Sequence, residues 1–316
     1  LFSFSKKMNK STNLPLDQFI NHALYDKKNG YYMKKNPFGE KGDFTTAPNI
    51  SRLFSEMIAI WIISFWYNLG SPKNFNLIEL GAGNGEMIKD LLESSKNFPN
   101  FIRSCNIFIH EKSPRLIKIQ KRKLKGNKVY WISNIKKIKK YPSIFIANEF
   151  FDAIAIRQFI KLDKLWFERF VNIKNKKRAF FFDKKINIRK FEKNIKFKIS
   201  SKQDFIEYSK EGINYLKDIS KLIKRNDGGL LIIDYGYYDI KMKNTLRSIS
   251  NHQYSDILKN IGNSDITHNI NFNLFEKLIK KLGLKNEFTT QKKFLEKIGI
   301  KKRAEIITRN VTFLKK

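Results

Sequence analysis

The stretch "NLIELGAGNGEMIKDLL", residues 76–92, passes from a mostly apolar run that carries one acid, through three spaced glycines, into a helical pattern. A short apolar run that enters a glycine turn and leaves as a helix predicts a parallel strand, a tight connection and a covering helix. Glycine at 81, 83 and 85 lets backbone approach a ligand closely. Glu79 sets a carboxylate beside that approach, so the identity of the ligand largely decides the function.

The pattern repeats along the chain. A helix is expected over 51–69 behind a Ser51 cap, a strand over 76–80 and a helix over 86–94. "CNIFIHE", ending at Glu111, reads as a second buried strand, followed by a helix through "SPRLIKIQKRKL". "VYWIS" at 129–133, "SIFIANEFFDA" at 143–153 and "GGLLIIDYGYY" at 228–238 supply three more strands. Strands alternating with helices, in continuous apolar runs, predict an α/β fold with a parallel sheet covered on both faces. Residues 157–182 lack a helical period and read as two or three antiparallel strands. The charged segment 183–206 reads as a loop or small subdomain, and 206–225 as a helix. The start, 15–36, reads as a short amphipathic helix entering a Gly-aromatic turn. The C-terminal part is helical until a strand expected in "AEIITRNVTFL".

Composition narrows the classes. Lys and Arg outnumber Asp and Glu by 63 to 29 over 316 residues, for a net charge of +34. Lysines are spread widely among many Asn, Ile and Phe, the signature of A/T-rich coding. A dedicated polyanion surface is the alternative. The single cysteine, Cys105, excludes an internal disulfide and a cysteine-cluster metal site. The four histidines show no paired ligand spacing, so no metal is expected. His110 lies in an apolar run and reads as structural. The longest apolar stretch, 57–67, falls short of the ~18 residues a membrane span needs and reads as a buried helix. The opening "LFSFSKKMNK" is basic and acid-free without a signal core; it reads as a frayed terminus, the stub of a targeting peptide being the other reading. One cysteine and no span indicate a reducing compartment, the bacterial cytoplasm, with the mitochondrial matrix as the alternative.

The glycine spacing is G-x-G-x-G, whereas a dinucleotide turn reads G-x-G-x-x-G. It resembles motif I of class I S-adenosylmethionine-dependent methyltransferases, whose sulfonium and ammonium suit nearby carboxylates. Glu111 supports this, since an acid ending the second strand can accept from ribose hydroxyls; a helix-start acid is the plain structural reading. "IANEFFDA" sets Asn148, Glu149, Phe151 and Asp152 just beyond the carboxyl end of the fourth strand, where open parallel sheets bind ligands. Helix capping by Asn148 or Asp152 is the structural alternative. In nucleic-acid amino-methyltransferases an N-P-P-F/Y motif stands here, but "NEFF" replaces the prolines and adds a carboxylate. A carboxylate suits a guanidinium, which it can grip bidentately.

The segments "GYYMKKNPFGEKGDFTTAPNIS", "LIELGAGNGEM", "ANEFFDAIAIRQF", "WFERFV", "GGLLIIDYGYY" and "FLEKIGI" occur in the order seen in the MidA-like family, which this chain resembles over about residues 15–310. That family includes the mitochondrial arginine methyltransferases of respiratory complex I assembly. The resemblance implies a class I, Rossmann-like methyltransferase core over 71–156 and 207–316. It also implies an N-terminal helical extension with the "GDF" loop over 1–70 and a mostly antiparallel β insertion over 157–206. S-adenosylmethionine is expected over Gly81, Gly83 and Gly85, with Glu79 and Glu111 around it and Asp43, Phe44 and Thr45 folding over. Glu149 and Asp152 are the expected guanidinium ligands, Asn148 shapes the pocket, and Glu207 is an outlying candidate. The expected partner is a protein with a target arginine, a complex I core subunit or its homologue; nucleic acid is not expected. An RNA or small-amine N-methyltransferase, or a cofactor-binding assembly factor with little activity, are the alternatives. The chain departs from the family pattern at Ala82 and Glu86 in the turn, and at Asn269 and Asn271, where relatives carry His and Asp.

Overall fold

A computed structural model describes residues 12–34, 37, 48, 51–174, 178–250 and 253–309. The chain divides into two compact units, each drawn from three separate stretches: Pro37–Asn148, Ile219–Ile233 and Leu284–Lys316 form one, and Leu1–Asn36, Glu149–Asp218 and Asp234–Gly283 the other.

The first unit is built on a five-stranded parallel sheet. Its order is Gly228–Ile233, Ser143–Asn148, Phe75–Leu80, Cys105–His110, Val129–Ile132. The chain moves outward from Phe75–Leu80 in one direction and returns to its other side at Ser143–Asn148, so the order reverses between these two strands. That reversal opens a crevice at their carboxyl ends, the usual ligand position in such sheets. Every residue of Phe75–Leu80 is buried, as a central strand with helices on both faces requires. The expected helix after Ser51 runs Arg52–Asn68, and the Ser51 hydroxyl accepts from the Leu53 N–H at 3.2 Å. The apolar stretch within it buries Met57, Ile58, Ile62, Ile63 and Trp66. Trp66 packs against Phe75 and Phe101 at ring separations of 6.2 and 5.6 Å, and each such ring contributes about 2–3 kcal/mol of burial. Helices Glu86–Ser94 and Pro114–Lys123 follow the first and second strands as expected. His110 is structural: its ring is buried, with Nδ1 3.1 Å from the Ile132 carbonyl.

The second unit carries an antiparallel sheet in the order Thr12–Pro15, Leu165–Lys174, Arg157–Leu162, Phe205–Tyr208, with Arg178–Ile186 also paired to Leu165–Lys174. Its core gathers Phe159, Ile206, Tyr208, Ile213, Leu274 and Leu278. A three-stranded sheet, Gln253–Ser255, Arg247–Ser250 and Asp265–Thr267, and a parallel pair, Gly236–Tyr237 with Ile270–Asn271, accompany it.

Two expectations are corrected. Residues 206–208 belong to the strand Phe205–Tyr208, and the helix begins at Lys210. Ser209 separates them: its hydroxyl accepts from the Gly212 N–H at 3.0 Å, and Ile206 pairs across to Phe159. Residues 304–309 are the end of the helix Ile300–Arg309, not a strand. Local β-branched propensity there yields to context, with Arg303 Nε donating to Glu56 at 2.9 Å.

Candidate functional site

In the first unit the carboxyl ends of the strands present two acids and a bare turn. Gly81, Gly83 and Gly85 all have positive φ, 68°, 52° and 80°, a conformation that L side chains resist. The turn is fastened where it leaves the sheet, Gly81 N–H donating to the His110 carbonyl at 2.9 Å. Gln120 holds its middle. That side chain is fully buried, and its Nε2 donates to the Gly83 carbonyl at 2.9 Å and to Glu111 Oε2 at 3.2 Å. Its Oε1 accepts from the Trp131 indole at 2.8 Å. One amide thus sets the glycine turn and the second-strand acid together. Glu86, the family departure at the helix start, pairs with Lys89 and Lys123 and is held below the usual carboxylate range by them.

Glu79 is 4% exposed, and its Oε2 has no hydrogen-bond partner among the described residues. Burial first, and then the charge of Glu111, push its carboxyl up to about 8 from an ordinary 4.5. Glu111 is raised by burial too, while the Ser113 N–H, at 2.8 Å, and Gln120 pull it back. A buried carboxylate with an open oxygen is costly unless a cation arrives, so this pair forms a ready seat for one. Without a ligand the folded state holds the Glu79 proton more tightly than the unfolded chain. The stability that proton contributes is complete below about pH 4.5 and is lost as pH rises through about 8. Glu79→Gln is therefore expected to flatten the fall in melting temperature between those limits, measured by thermal unfolding across a pH series. An unchanged slope would remove Glu79 as its source.

The second unit holds an acid cluster. Glu149 follows directly on the last residue of the strand Ser143–Asn148, and its φ is +49°, a strained value for a side-chain-bearing residue. Asp234 pins the turn that follows: its Oδ2 accepts from the N–H groups of Phe151 at 2.8 Å and Asp152 at 3.2 Å, and its Oδ1 from Tyr235 at 2.9 Å. Asp152 is 7% exposed, with Oδ1 unpartnered among the described residues. Burial, then Asp234, Asp265 and Glu149 in turn, drive its carboxyl well above the usual range. Burial raises Asp234 to about 7 against its three N–H donors. The Tyr32 hydroxyl donates to Asp265 at 3.0 Å, and burial with the charges of Asp265 and Asp152 raises it well above the phenol range. Four carboxyl groups and the Tyr32 hydroxyl thus crowd together, while Tyr235, 54% exposed, feels their charge with Arg247 close enough to oppose it.

The positions expected from sequence separate accordingly. Glu79, Gly81, Gly83, Gly85 and Glu111 come together in the first unit. Asn148 ends a strand of that unit with its Oδ1 buried and unpartnered among the described residues. Glu149 and Asp152 come together in the second. Asp43, Phe44 and Thr45 lie outside the described residues. Glu207 is a saturated structural acid, accepting from Gln158 at 2.9 Å, from Thr245 N–H at 3.0 Å and Oγ1 at 2.5 Å, and from Leu246 at 3.2 Å. Asn271 caps the helix Phe272–Lys281, accepting from the Leu274 N–H at 2.9 Å. Sequence reasoning missed Asp234, Asp265, Tyr32 and Gln120. Asp234 had a signal, an acid directly after the fifth apolar strand just as Glu111 stands directly after the second.

The profile of the family described as "Putative S-adenosyl-L-methionine-dependent methyltransferase" matches residues 57–289. The protein named "Protein arginine methyltransferase NDUFAF7, mitochondrial" of Xenopus laevis is 30% identical over 328 residues, covering 94% of this chain and 74% of that one. The Homo sapiens protein of the same name is 28% identical, covering 94% and 73%. Among solved structures, a likely methyl transferase of the COG1565 superfamily from Burkholderia thailandensis, bound to S-adenosyl-homocysteine, superposes with a TM-score of 0.79 at 22% identity. That superposition covers 96% of this chain and 81% of the other.

Proposed function

We propose, from the premise that the chain belongs to this S-adenosyl-L-methionine-dependent methyltransferase family, that it methylates arginine side chains of a protein acceptor. The residues of the first unit suit the donor. Glu79 offers an ammonium an unpartnered buried oxygen. The three left-handed glycines leave the turn bare, and Glu111, steadied by Gln120, offers a carboxylate to ribose hydroxyls. When bound, S-adenosylmethionine supplies an electrophilic methyl group on sulfur.

What favours arginine is the cluster of Glu149, Asp152, Asp234 and Asp265, because four neighbouring carboxyl groups repel one another until a cation enters. A guanidinium brings a permanent charge and a planar set of donors that match carboxylate geometry. Glu149 and Asp152 are the proposed ligands, and Asn148 shapes the approach. Asp234 keeps the Phe151–Asp152 turn in place through its three N–H contacts. The arginine nitrogen must lose a proton as it gains carbon, and Asp152 Oδ1, open and proton-avid, is the proposed acceptor.

The nucleic-acid alternative fares worse. Phe151, the ring that would stack on a base, is 1% exposed and wedged edge-on between Phe150 and Phe275 at 5.3 Å from each. We further propose that the acceptor is a subunit of respiratory complex I or its homologue, in line with the family resemblance. The mitochondrial names of the curated relatives favour the matrix over the bacterial cytoplasm. Among the described residues no helix is long and apolar enough to cross a membrane.

The test is incubation with tritiated donor and an extract of cells lacking the protein, followed by acid hydrolysis and chromatography of methylated amino acids. Label in dimethylarginine is expected. Label confined to nucleic acid or free amines would overturn the reading.

A further inference from the structure

Coding bias accounts for lysines scattered through the chain, but it does not account for where acids are missing. Residues 112–140 contain twelve Lys or Arg and no Asp or Glu, whereas the remainder carries 51 Lys or Arg against all 29 acids. This stretch forms the outer end of the parallel sheet in the first unit. It comprises the helix Pro114–Lys123, the edge strand Val129–Ile132 and the turn Ile135–Lys137. Burial is confined to a few anchors, Ser113, Leu116, Gln120, Leu124, Ile135 and Ile138, and eleven of the twelve cations are exposed. The twelfth, Lys123, pairs with Glu86.

Aromatic rings interleave with these cations. Tyr130 and Tyr141 are 43% and 45% exposed, and Lys121 lies over the Trp131 ring, 5.4 Å from its centroid. A face that joins many point charges to rings with one apolar and one polar end matches the headgroup level of a bilayer. Ten of the twelve cations are lysines, which attract a charged surface without demanding geometry. Nucleic-acid readers lean instead on the planar fork and stacking of arginine. The rings are also partly committed, Tyr130 packing on Phe108 at 5.5 Å and Trp131 covered by Lys121.

We propose that this edge of the sheet is a docking surface for a membrane of anionic lipid, held by charge and interfacial aromatics without insertion of a helix. Attraction of this kind weakens about fivefold per cation removed and falls away within a Debye length.

The experiment is sedimentation of the whole chain with vesicles of pure phosphatidylcholine, or of phosphatidylcholine with one third phosphatidylserine. Binding is expected only to the anionic vesicles, with release when salt rises from about 0.1 M to about 0.5 M. The combined exchange Lys118→Gln, Lys125→Gln, Lys128→Gln and Lys139→Gln should weaken it at least about a hundredfold. All four are exposed, so the fold is retained, which the melting temperature checks. A control set of equal charge, Lys184→Gln, Lys185→Gln, Lys190→Gln and Lys193→Gln, should leave binding within a few-fold. Equal losses from both sets would mean that total charge governs and would overturn the proposal. So would failure to bind anionic vesicles, or tighter binding to single-stranded polyuridine that the first set abolishes.

Discussion

Asp152→Asn is expected to retain the methyl donor, to lose about a hundredfold to a thousandfold in transfer to arginine, and to melt at a higher temperature than the parent. The three outcomes share one cause. Asp152 Oδ1 is buried and unpartnered among the described residues, and three other carboxyl groups disfavour its ionisation. Its folded-state proton affinity lies well above that of the unfolded chain, so the stability it adds when protonated is lost as pH rises past the ordinary carboxylate range. An amide of the same shape carries no such loss. Its backbone contacts, N–H to Asp234 and carbonyl to the His268 N–H at 3.1 Å, are untouched. Donor affinity by calorimetry, single-turnover methyl transfer and thermal unfolding separate the effects. Lost activity together with a lowered melting temperature would make Asp152 a structural acid. Full activity would dismiss it from the site.

Gly228→Ala is expected to prevent accumulation of folded protein, or to cost more than about 4 kcal/mol where some folds. A Cβ at this position would lie 1.9 Å from the Ser143 carbonyl oxygen and 2.8 Å from its nitrogen and carbon. Those atoms are backbone and cannot swing aside. Gly228 pairs in register with Ser143, and the Ser143 N–H donates to the Asp227 carbonyl at 3.1 Å. The φ of 133° adds strain for any L side chain. Gly126→Ala is the control, since φ is +87° there but nothing lies within 4 Å; it should cost only about 1–2 kcal/mol. Comparable costs, read by denaturant unfolding, would refute the close strand pairing at Ser143.

The parallel sheet was legible because its strands are short, mostly apolar runs with punctuation at both ends, and "LIEL" and "IFIHE" each carry an informative acid at or next to their last position. The strand Phe205–Tyr208 was not, because Ile206, Glu207 and Tyr208 fit the start of a helical pattern as well as a strand. Only the partner strand Arg157–Leu162, some fifty residues earlier, decides the matter. Among site residues, those at strand ends could be named from position alone. Gln120 could not: it sits in a lysine-rich amphipathic helix, and its importance comes from Gly83, 37 residues earlier, and from Glu111 and Trp131, which lie on the strands either side of that helix or at their ends. Tyr32 likewise shows its purpose only when folding brings Asp265 to it across more than two hundred residues.

The order in which the sheet is threaded sets a schedule for synthesis. Ser143–Asn148 leaves the ribosome with one side paired to Phe75–Leu80, while its other neighbour, Gly228–Ile233, is eighty residues behind. At roughly 5–20 residues per second, that gap lasts about 4–16 s. During it the nascent chain displays "SIFIAN", apolar from Ile144 to Ala147, as an open margin, the kind of template that recruits foreign strands. Rapid translation through residues 149–227, or a chaperone resting on that margin, would govern how much of this polypeptide matures and how much clumps.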